Sequence, residues 1–562
     1  MNVGRGASWQ RGLAVVAAGG TGLLDIGAGL GIGRRVEGTS WFPAPQSSPV
    51  AMVLLGVALV LVAQGLRRRH VLALALGAAY FTVAAASTVR GPRPAFGVAV
   101  AGLALFASAH RDAVVRVAPE RLEAAGRAAI ATVAGLTVVG TAALLAADAR
   151  LDQRPSVSSA VQTVARRLFG ATSDLPGNRA ADIVLRALPL ALGVVALVLL
   201  MIVLQPVADD AIVDDETRER VRQLCTGPGS DAMAPFTRRQ DKSYVFSADG
   251  RAVIGYRVVF GVCLAGPGPV GDPASHDAAL AAWIERCDAR GWFPAMIAAT
   301  DDTRARTRMH RMHGIRIGDE VTVPVAGFQL EQPSMRNVRQ AVKRTRNAGV
   351  SVTVARESEL TPREREALGA VLADWQRGHG EQGFAMTLDR MLAGTYAEAL
   401  VFVAHHEGRP VGFQRYLPCR DGLSLSLDVM PRLRRAPNGV NERLIVEAIE
   451  YAAQHGGHEL SLNFAAFRTV FEGQPTLSNR ALRRVVHLLD RFINVESLYR
   501  FNAKFHPSWA PRHVLFRSPL DLPWLLAAAL RAEFGRPGVA EVAPAAPVGV
   551  LGTEPISRGE AG

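Results

Sequence analysis

The chain has 562 residues, 49% of them apolar, with a mean hydropathy of +0.15 and a formal net charge of +13. Almost all of the apolar surplus lies before residue 208, which excludes a uniformly soluble protein, and the length exceeds one domain. The part after residue 208 carries only about +3, so the basic surplus sits in short Arg-rich loops of the apolar half, where it suits anionic lipid headgroups without requiring nucleic acid. All four cysteines (Cys225, Cys263, Cys287, Cys419) follow residue 208 without CxxC spacing, which argues against a disulfide framework or zinc site and fits a reducing compartment.

A bilayer-crossing helix needs roughly 20 apolar residues. Six segments approach that: about 11–32, 50–66, 71–89, 94–109, 127–148 and 185–207, the first Gly-rich and holding Asp25. No cleavable signal peptide opens the sequence, so the first segment reads as a retained helix. Asp25 is either a functional intramembrane carboxylate or a residue facing other helices or water. With the N-terminus inside, the inner loops hold Arg67, Arg68, Arg69, Arg111, Arg116 and Arg121, and 33–49, 90–93 and 149–184 are outer loops. Six crossings return the chain to the cytoplasmic side, so residues 1–207 are expected to form an all-α transmembrane bundle of a cell-membrane protein whose C-terminal domain is cytoplasmic.

From about residue 212 strands and helices alternate. Strands are expected at 243–247 and 252–260, joined by an Ala248-Asp249-Gly250 turn, and a helix at 275–290 capped by Ser275. Further strands are expected at 293–299 and 321–325. After Pro333 the pattern predicts helices at 334–348, 362–378, 387–395, 438–455 and 478–490. Strands are expected at 350–355, 400–405, 410–417, 423–427 and 459–463. The result is two successive α/β units, 212–331 and 332–535, followed by a Pro/Ala/Gly-rich tail at 536–562 expected to be disordered.

Four constellations are candidates for chemistry. On helix 334–348, Arg336, Arg339 and Lys343, with Arg346, recur at three- and four-residue steps beside Arg344, and no acid interrupts them. The stripe is either a solvated face or a binder of phosphates in tRNA or lipid. Asp428 and Arg432 stand where a strand turns into a helix at Pro437-Asn438-Gly439. There Asp428 could take a proton or bind an amine and Arg432 could hold a phosphate or a carbonyl oxygen; the plainer alternative is an internal Asp–Arg pair. Asn463 ends a strand, a common ligand position in open α/β sheets, or is a turn residue. The run from Phe501 through Lys504 and Trp509 to Arg512 either cradles a base or headgroup or packs as a C-terminal strand with snorkelling cations. There is no GxSxG, P-loop, HExxH or paired metal-ligand set, so no metal or cofactor is expected and the chemistry would rest on positioning and electrostatics.

Several segments together resemble the lysylphosphatidylglycerol synthetases, the multiple peptide resistance factor family. They are Asp241-Lys242 to Tyr256-Arg257, Gly268-Pro269-Val270-Gly271-Asp272-Pro273, Gly318-Asp319-Glu320, and Arg336-Asn337 with Arg339, Arg344 and Gly349. Trp375 with Glu381-Gln382-Gly383-Phe384, Asp428 with Arg432 and Pro437-Asn438-Gly439, and Lys504-Phe505-His506-Pro507 with Trp509 complete the series over about 235–517. The resemblance implies tandem acetyltransferase-like folds related to the Fem peptidyltransferases. It also implies transfer of an amino acid, typically lysine, from aminoacyl-tRNA to a glycerol hydroxyl of phosphatidylglycerol. On that reading Asp428 orients or deprotonates the hydroxyl or binds the donor amine, and Arg432 holds lipid phosphate or the oxyanion. Arg336, Arg339 and Lys343 bind tRNA phosphate, and Glu320 and Glu381 receive a cationic side chain. The longest family members have a larger membrane half that moves the product lipid outward, and six crossings put that activity in question here. Rival readings keep the fold but change the acceptor to diacylglycerol or a cell-wall precursor, or make the protein a non-catalytic membrane-anchored tRNA or lipid binder, or a small lipid transporter.

Overall fold

A computed structural model describes residues 3–31, 49–89, 93–109, 115–147, 156–168, 179–205, 213–376, 387–466 and 495–534. The expected helix 478–490, the tail 536–562 and Glu381 lie outside the described residues. The chain divides into two compact units: Met1–Gly318 with Cys419–Asp421 and Ala510–Leu525, and Asp319–Pro418 with Gly422–Trp509 and Leu526–Gly562.

The first unit begins with the apolar helices α1 (Val3–Gly29), α2 (Pro49–Arg67), α3 (Val71–Thr88), α4 (Arg93–Ser108), α5 (Pro119–Ala147), α6 (Val157–Leu168) and α7 (Arg179–Val203). Four stretches are long and apolar enough to cross a membrane: Gln10–Gly29, Pro49–Arg67, Pro119–Ala146 and Leu185–Val203. The apolar parts of α3 and α4 are shorter. All six expected segments are helical. Helix α6 is an addition; it falls in what the sequence presents as the loop 149–184. Its Ala160, Val164 and Leu168 pack with Leu144 of α5 and with Leu185 and Leu188 of α7, and this one-sided apolar pattern is too short to signal a crossing. Asp25 is half-buried on α1, and its Oδ2 has no hydrogen-bond partner among the described residues.

Close approach of α1 and α2 depends on small residues, as expected where lipid supplies no hydrophobic drive between helices. A Cβ placed on Gly56 would lie 2.4 Å from the Gly22 carbonyl oxygen. The variant Gly56→Leu is therefore expected to lose about 1–3 kcal/mol through overpacking, read as a lower unfolding temperature of the full chain in detergent.

Beyond α8 (Asp215–Thr226), the soluble part of this unit is built on β1 (Ser243–Phe246), β2 (Ala252–Val259), β3 (Val262–Ala265), β4 (Val270–Gly271) and β5 (Phe293–Ala299). Helix α9 (His276–Arg290) covers the sheet through Leu280, Trp283 and Cys287, which pack on Ile254, Tyr256 and Met296. β1 and β2 form the expected hairpin, Ser243 opposite Tyr256. Ser275 sits at the start of α9 as expected, but its hydroxyl donates to Asp249 Oδ2 at 2.5 Å rather than capping the helix. The four cysteines are buried and none forms a disulfide among the described residues. After the short α10 (Asp301–Thr307), the strand expected at 321–325 and the segment leading to it form one strand, β6 (His313–Pro324), which crosses the unit boundary at Gly318/Asp319.

The second unit holds α11 (Arg336–Asn347), β7 (Ser351–Arg356), α12 (Pro362–Gln376), β8 (Leu400–His406), β9 (Arg409–Cys419), β10 (Ser424–Val429), α13 (Val440–Gln454), β11 (Glu459–Ala466) and α14 (Val495–Ala503). Its strand order is β6-β11-β10-β9-β8-β7. β12 (Ser508–Phe516), the strand alternative for the 501–512 run, returns to the first unit and pairs antiparallel with β5. α15 (Leu522–Phe534) follows. In β8 alternate residues enter different cores: Leu400, Phe402 and Ala404 meet α11 and α13, whereas Val401 and Val403 meet Leu368 and Val371 of α12. Both faces are covered, so the strand reads as a continuous apolar run.

The helix expected at 387–395 does not form; Thr387–Ala399 is a chain of turns. Arg390 and Leu392 take left-handed φ values of 48° and 60°. Backbone groups of this loop that a helix would use internally are instead claimed by side chains: Leu388 N–H by Asp428, Gly394 N–H by Glu357, and Leu392 C=O by Arg365. Tertiary hydrogen bonds override the local periodicity.

Candidate functional site

The site is assembled in the second unit around the ends of β9, β10 and β11. The strands β10 and β11 run parallel, pairing Ser424 with Glu459, Leu425 with Leu460 and Ser426 with Ser461. Beyond that register the link is a side chain: Asn463, at a φ of 69°, donates from Nδ2 to the Leu427 carbonyl at 3.0 Å. Its Oδ1 accepts from Phe464 N–H at 2.7 Å. Asn463 is therefore not at a strand end or in a turn, as the sequence suggests: β11 runs on to Ala466, and this left-handed residue is held within the strand by its own side chain.

Asp428 follows Ser424 and Ser426 on the polar side of β10, while Leu425 and Leu427 enter the core. Its carboxylate is fully enclosed. Oδ2 accepts from Arg415 Nη1 at 2.7 Å and Oδ1 from Leu388 N–H at 2.8 Å. Arg415 also forms a close ion pair with Glu357, Nε to Oε2 at 2.7 Å, and all three side chains are inaccessible to solvent. Tyr396 lies over the guanidinium at 5.2 Å from its ring centre, and its hydroxyl donates to Asp389 at 2.6 Å. Burial pushes the Asp428 carboxyl above its ordinary range, with Arg415 pulling the other way. The Arg415 guanidinium is held charged by two carboxylates against the cost of its own burial. The acid is therefore paired with Arg415, not with Arg432 as the plainer alternative had it. Residue patterns do not single out Glu357, Arg415, Arg365 or Tyr396, although Arg415 stands mid-strand in an apolar run (Val411 to Cys419), where a charge requires a partner.

Arg432 lies on the segment that leaves β10. That segment pairs with β9 through Phe413 N–H to Pro431 C=O and Leu433 N–H to Val411 C=O, with Arg432 opposite Gly412. Arg432 is half-buried and makes no hydrogen bond or ion pair with the described residues. The turn then enters α13 at Gly439, whose φ is 103° and where an added Cβ would lie 2.9 Å from the Ala341 carbonyl oxygen. Glycine there lets α13 start against α11.

Helix α11 buries Val338, Ala341, Val342 and Thr345 and turns Arg336, Lys343, Arg344 and Arg346 outward and exposed; Arg336, Lys343 and Arg344 have no hydrogen bond or ion pair among the described residues, while Arg346 feels the charges of Glu450 and Arg443 on α13. Arg339 differs. It is half-buried, and its Nη1 donates to the carbonyls of Leu330 and Gln332 at 2.8 and 3.0 Å, bracing the loop before the helix. Lys504 is paired with Glu442 of α13 at 2.8 Å and lies over Phe501. Trp509 packs against Tyr499, ring centres 5.3 Å apart. Glu320 is buried on β6. The structure therefore brings Asp428, Arg432, Asn463 and the α11 stripe into one α/β unit, and shows Arg339, Lys504 and Trp509 already engaged within it.

Comparison with known proteins gives a consistent result. Residues 222–516, just over half of the chain, match the family described as phosphatidylglycerol lysyltransferase, C-terminal. The lysylphosphatidylglycerol biosynthesis bifunctional protein LysX of Gordonia bronchialis is 37% identical over 337 residues, covering 58% of this chain and 29% of that protein. The protein of the same description from Mycolicibacterium gilvum is 33% identical over 449 residues, covering 78% of this chain and 40% of that one. The chain thus spans less than half the length of these relatives. Two solved structures share the fold: L-PGS from Bacillus licheniformis (TM-score 0.51, 19% identity, 57% of this chain and 97% of that one) and the C-terminal DUF2156 domain from Agrobacterium fabrum (TM-score 0.51, 22% identity, 57% and 98%).

Proposed function

This chain belongs to the phosphatidylglycerol lysyltransferase family, matched over its C-terminal region, and from that membership we propose that it transfers an amino acid, lysine, from aminoacyl-tRNA to a glycerol hydroxyl of phosphatidylglycerol. The lipid hydroxyl attacks the ester carbonyl, the bond to the tRNA ribose oxygen breaks, and the hydroxyl proton passes to that leaving oxygen. The product headgroup is less negative, which weakens attraction of cationic peptides to the membrane. The observation that carries this reading is an unpaired, half-buried Arg432 at the β10–α13 turn, together with an acid-free cationic face on α11, the helix that packs on that turn. Arg432 supplies a donor for a lipid phosphate or the developing oxyanion. The exposed α11 cations supply sequence-independent attraction for tRNA phosphates.

The geometry supports a division of labour. Asp428, closed off by Arg415 and Leu388, positions the 387–399 loop rather than meeting a substrate hydroxyl. Glu320 and Glu381, proposed for the donor's cationic side chain, are to be tested by donor selectivity in Gln variants. Because charged tRNA is cytosolic, the catalytic region is proposed to face the cytoplasm, in keeping with Arg67, Arg68 and Arg69 at the end of α2.

Mass spectrometry of lipids from cells with and without the protein tests the reaction. A lysine-sized headgroup shift on phosphatidylglycerol is expected, and a shift on diacylglycerol alone, or none, would overturn it. For tRNA, replacing Lys343 and Arg344 by Gln should flatten the dependence of log affinity on log salt by roughly 0.7–0.9 for each phosphate no longer neutralised. An unchanged slope in a filter-binding titration removes α11 from the tRNA interface.

A further inference from the structure

The first unit contains a second feature that the transfer reaction does not use. Where α2 and α7 end, a small half-open pocket is lined by Leu61, Gln64, Arg68, Leu204, Phe260 and Trp524, among others. Its walls are mostly apolar, but two of its donors lack acceptors. Gln64 Nε2 and Arg68 Nε are both buried with no hydrogen-bond partner among the described residues. Arg68 is only 5% exposed; Nη2 donates to the Phe260 carbonyl at 3.0 Å, and the guanidinium lies over the rings of Phe293 and Trp524 at 4.8 and 5.9 Å.

The local charge is unbalanced. The carboxylate that acts on this cluster, Asp521, is bonded to Arg67, and Arg68 has no salt bridge among the described residues. Burial and the adjacent Arg67 lower the Arg68 pKa to about 10, so it is still a cation at neutral pH. Arg121 adds a further cation near the rim, donating to the Gln205 carbonyl at 2.8 Å. A buried cation normally has a counter-ion, because taking it out of water unpaired is costly. Phe260 adds strain: it occupies a φ of 50° in the β2–β3 turn while 45% exposed, a conformation bulky residues avoid unless something is gained. Its ring and the Trp524 indole stand beside the ends of apolar helices, where aromatic side chains favour the membrane interface.

We propose that this pocket is a phospholipid site. It holds the phosphate of an anionic glycerophospholipid on Arg68 and Gln64, and the acyl chains lie along α2 and α7. The phosphate supplies the acceptor oxygens that Arg68 Nε and Gln64 Nε2 lack, and the apolar walls select a lipid over a free ion. None of its residues belongs to the Asp428–Arg432 site, so the assignment stands or falls separately from the transferase reading.

The test uses the full chain in nanodiscs and follows Trp524 as the difference between wild type and Trp524→Phe. Phosphatidylglycerol with brominated acyl chains should quench the Trp524 signal at lower mole fraction than brominated phosphatidylcholine. Gln64→Leu replaces an unsatisfied amide by an apolar side chain of similar size and so should fold at least as well as wild type. It should weaken quenching by about tenfold, as loss of one charge-assisted hydrogen bond predicts, and Arg68→Gln should weaken it further. Equal quenching by the two lipids, or an unchanged response in folded Gln64→Leu, would overturn the proposal. Displacement of brominated phosphatidylglycerol by millimolar inorganic phosphate would also overturn it, by identifying a free-anion site instead. Failure of lipid aminoacylation with intact Trp524 quenching would defeat the proposed function alone.

Discussion

Replacing Arg415 with methionine is expected to cost about 3–5 kcal/mol of stability, the usual result of removing one member of a buried ion cluster. Among the described residues, Arg415 is the one cation that pairs with both Glu357 and Asp428, in a cluster with no solvent access. Without it two carboxylates are left in a low-dielectric interior with no cation between them, which destabilises the fold more than losing one of them. Asp428→Asn should be milder, about 1–3 kcal/mol, because it leaves a one-to-one Glu357–Arg415 pair and keeps an oxygen for Leu388 N–H. Urea unfolding of the full chain in detergent, followed by tryptophan fluorescence, separates the two; equal losses would show that Arg415 is not the centre of the cluster. The pH dependence has a definite sign. The unfolded chain releases the Asp428 proton near 3.8, while burial makes the folded chain keep it to higher pH. Between those values the folded state binds more protons, so this group's contribution to stability declines as pH rises through its raised folded pKa. Asp428→Asn should remove that decline, and a wild-type pH profile in the variant would contradict the assignment.

Replacing Arg432 with alanine is expected to lower aminoacyl-lipid formation by about 10²–10³, the range found when a donor to developing negative charge is lost. Its stability should stay within about 0.5 kcal/mol of wild type, because the side chain holds no partner among the described residues. Asp428→Asn acts through the 387–399 loop, so it should lower synthesis and stability together, whereas Arg432→Ala should lower synthesis alone. Labelled-lysine incorporation into extracted lipid, run beside thermal unfolding on both variants, distinguishes the roles. Near-normal product from Arg432→Ala would remove it from the reaction.

Much of this architecture is written locally. Apolar runs long enough for a bilayer, the 3.6-residue stripe of α11 and the Ala248–Gly250 hairpin depend on near neighbours, so the sequence reveals them. Helix α6 escapes such a reading because its apolar face matters only once α5 and α7 are in place. The loop 387–399 escapes it for the opposite reason: its residues favour a helix, but Asp428, Glu357 and Arg365 claim its backbone from afar.

The candidate site divides along the same line. Residue types and spacing alone placed Asp428 at the end of a strand and an unbroken cationic face on α11, whereas Asn463 lies inside β11, which continues to Ala466, and Arg432 lies on the segment that follows β10. Only the tertiary structure decided which charges are already paired. Arg339, Lys504 and Asp428 are engaged by Leu330, Glu442 and Arg415, while the side chains of Arg432, Lys343 and Arg344 have no partner among the described residues. The physical reason is that a charge's function depends on its partners and its burial, and both are set largely by residues far away in the sequence.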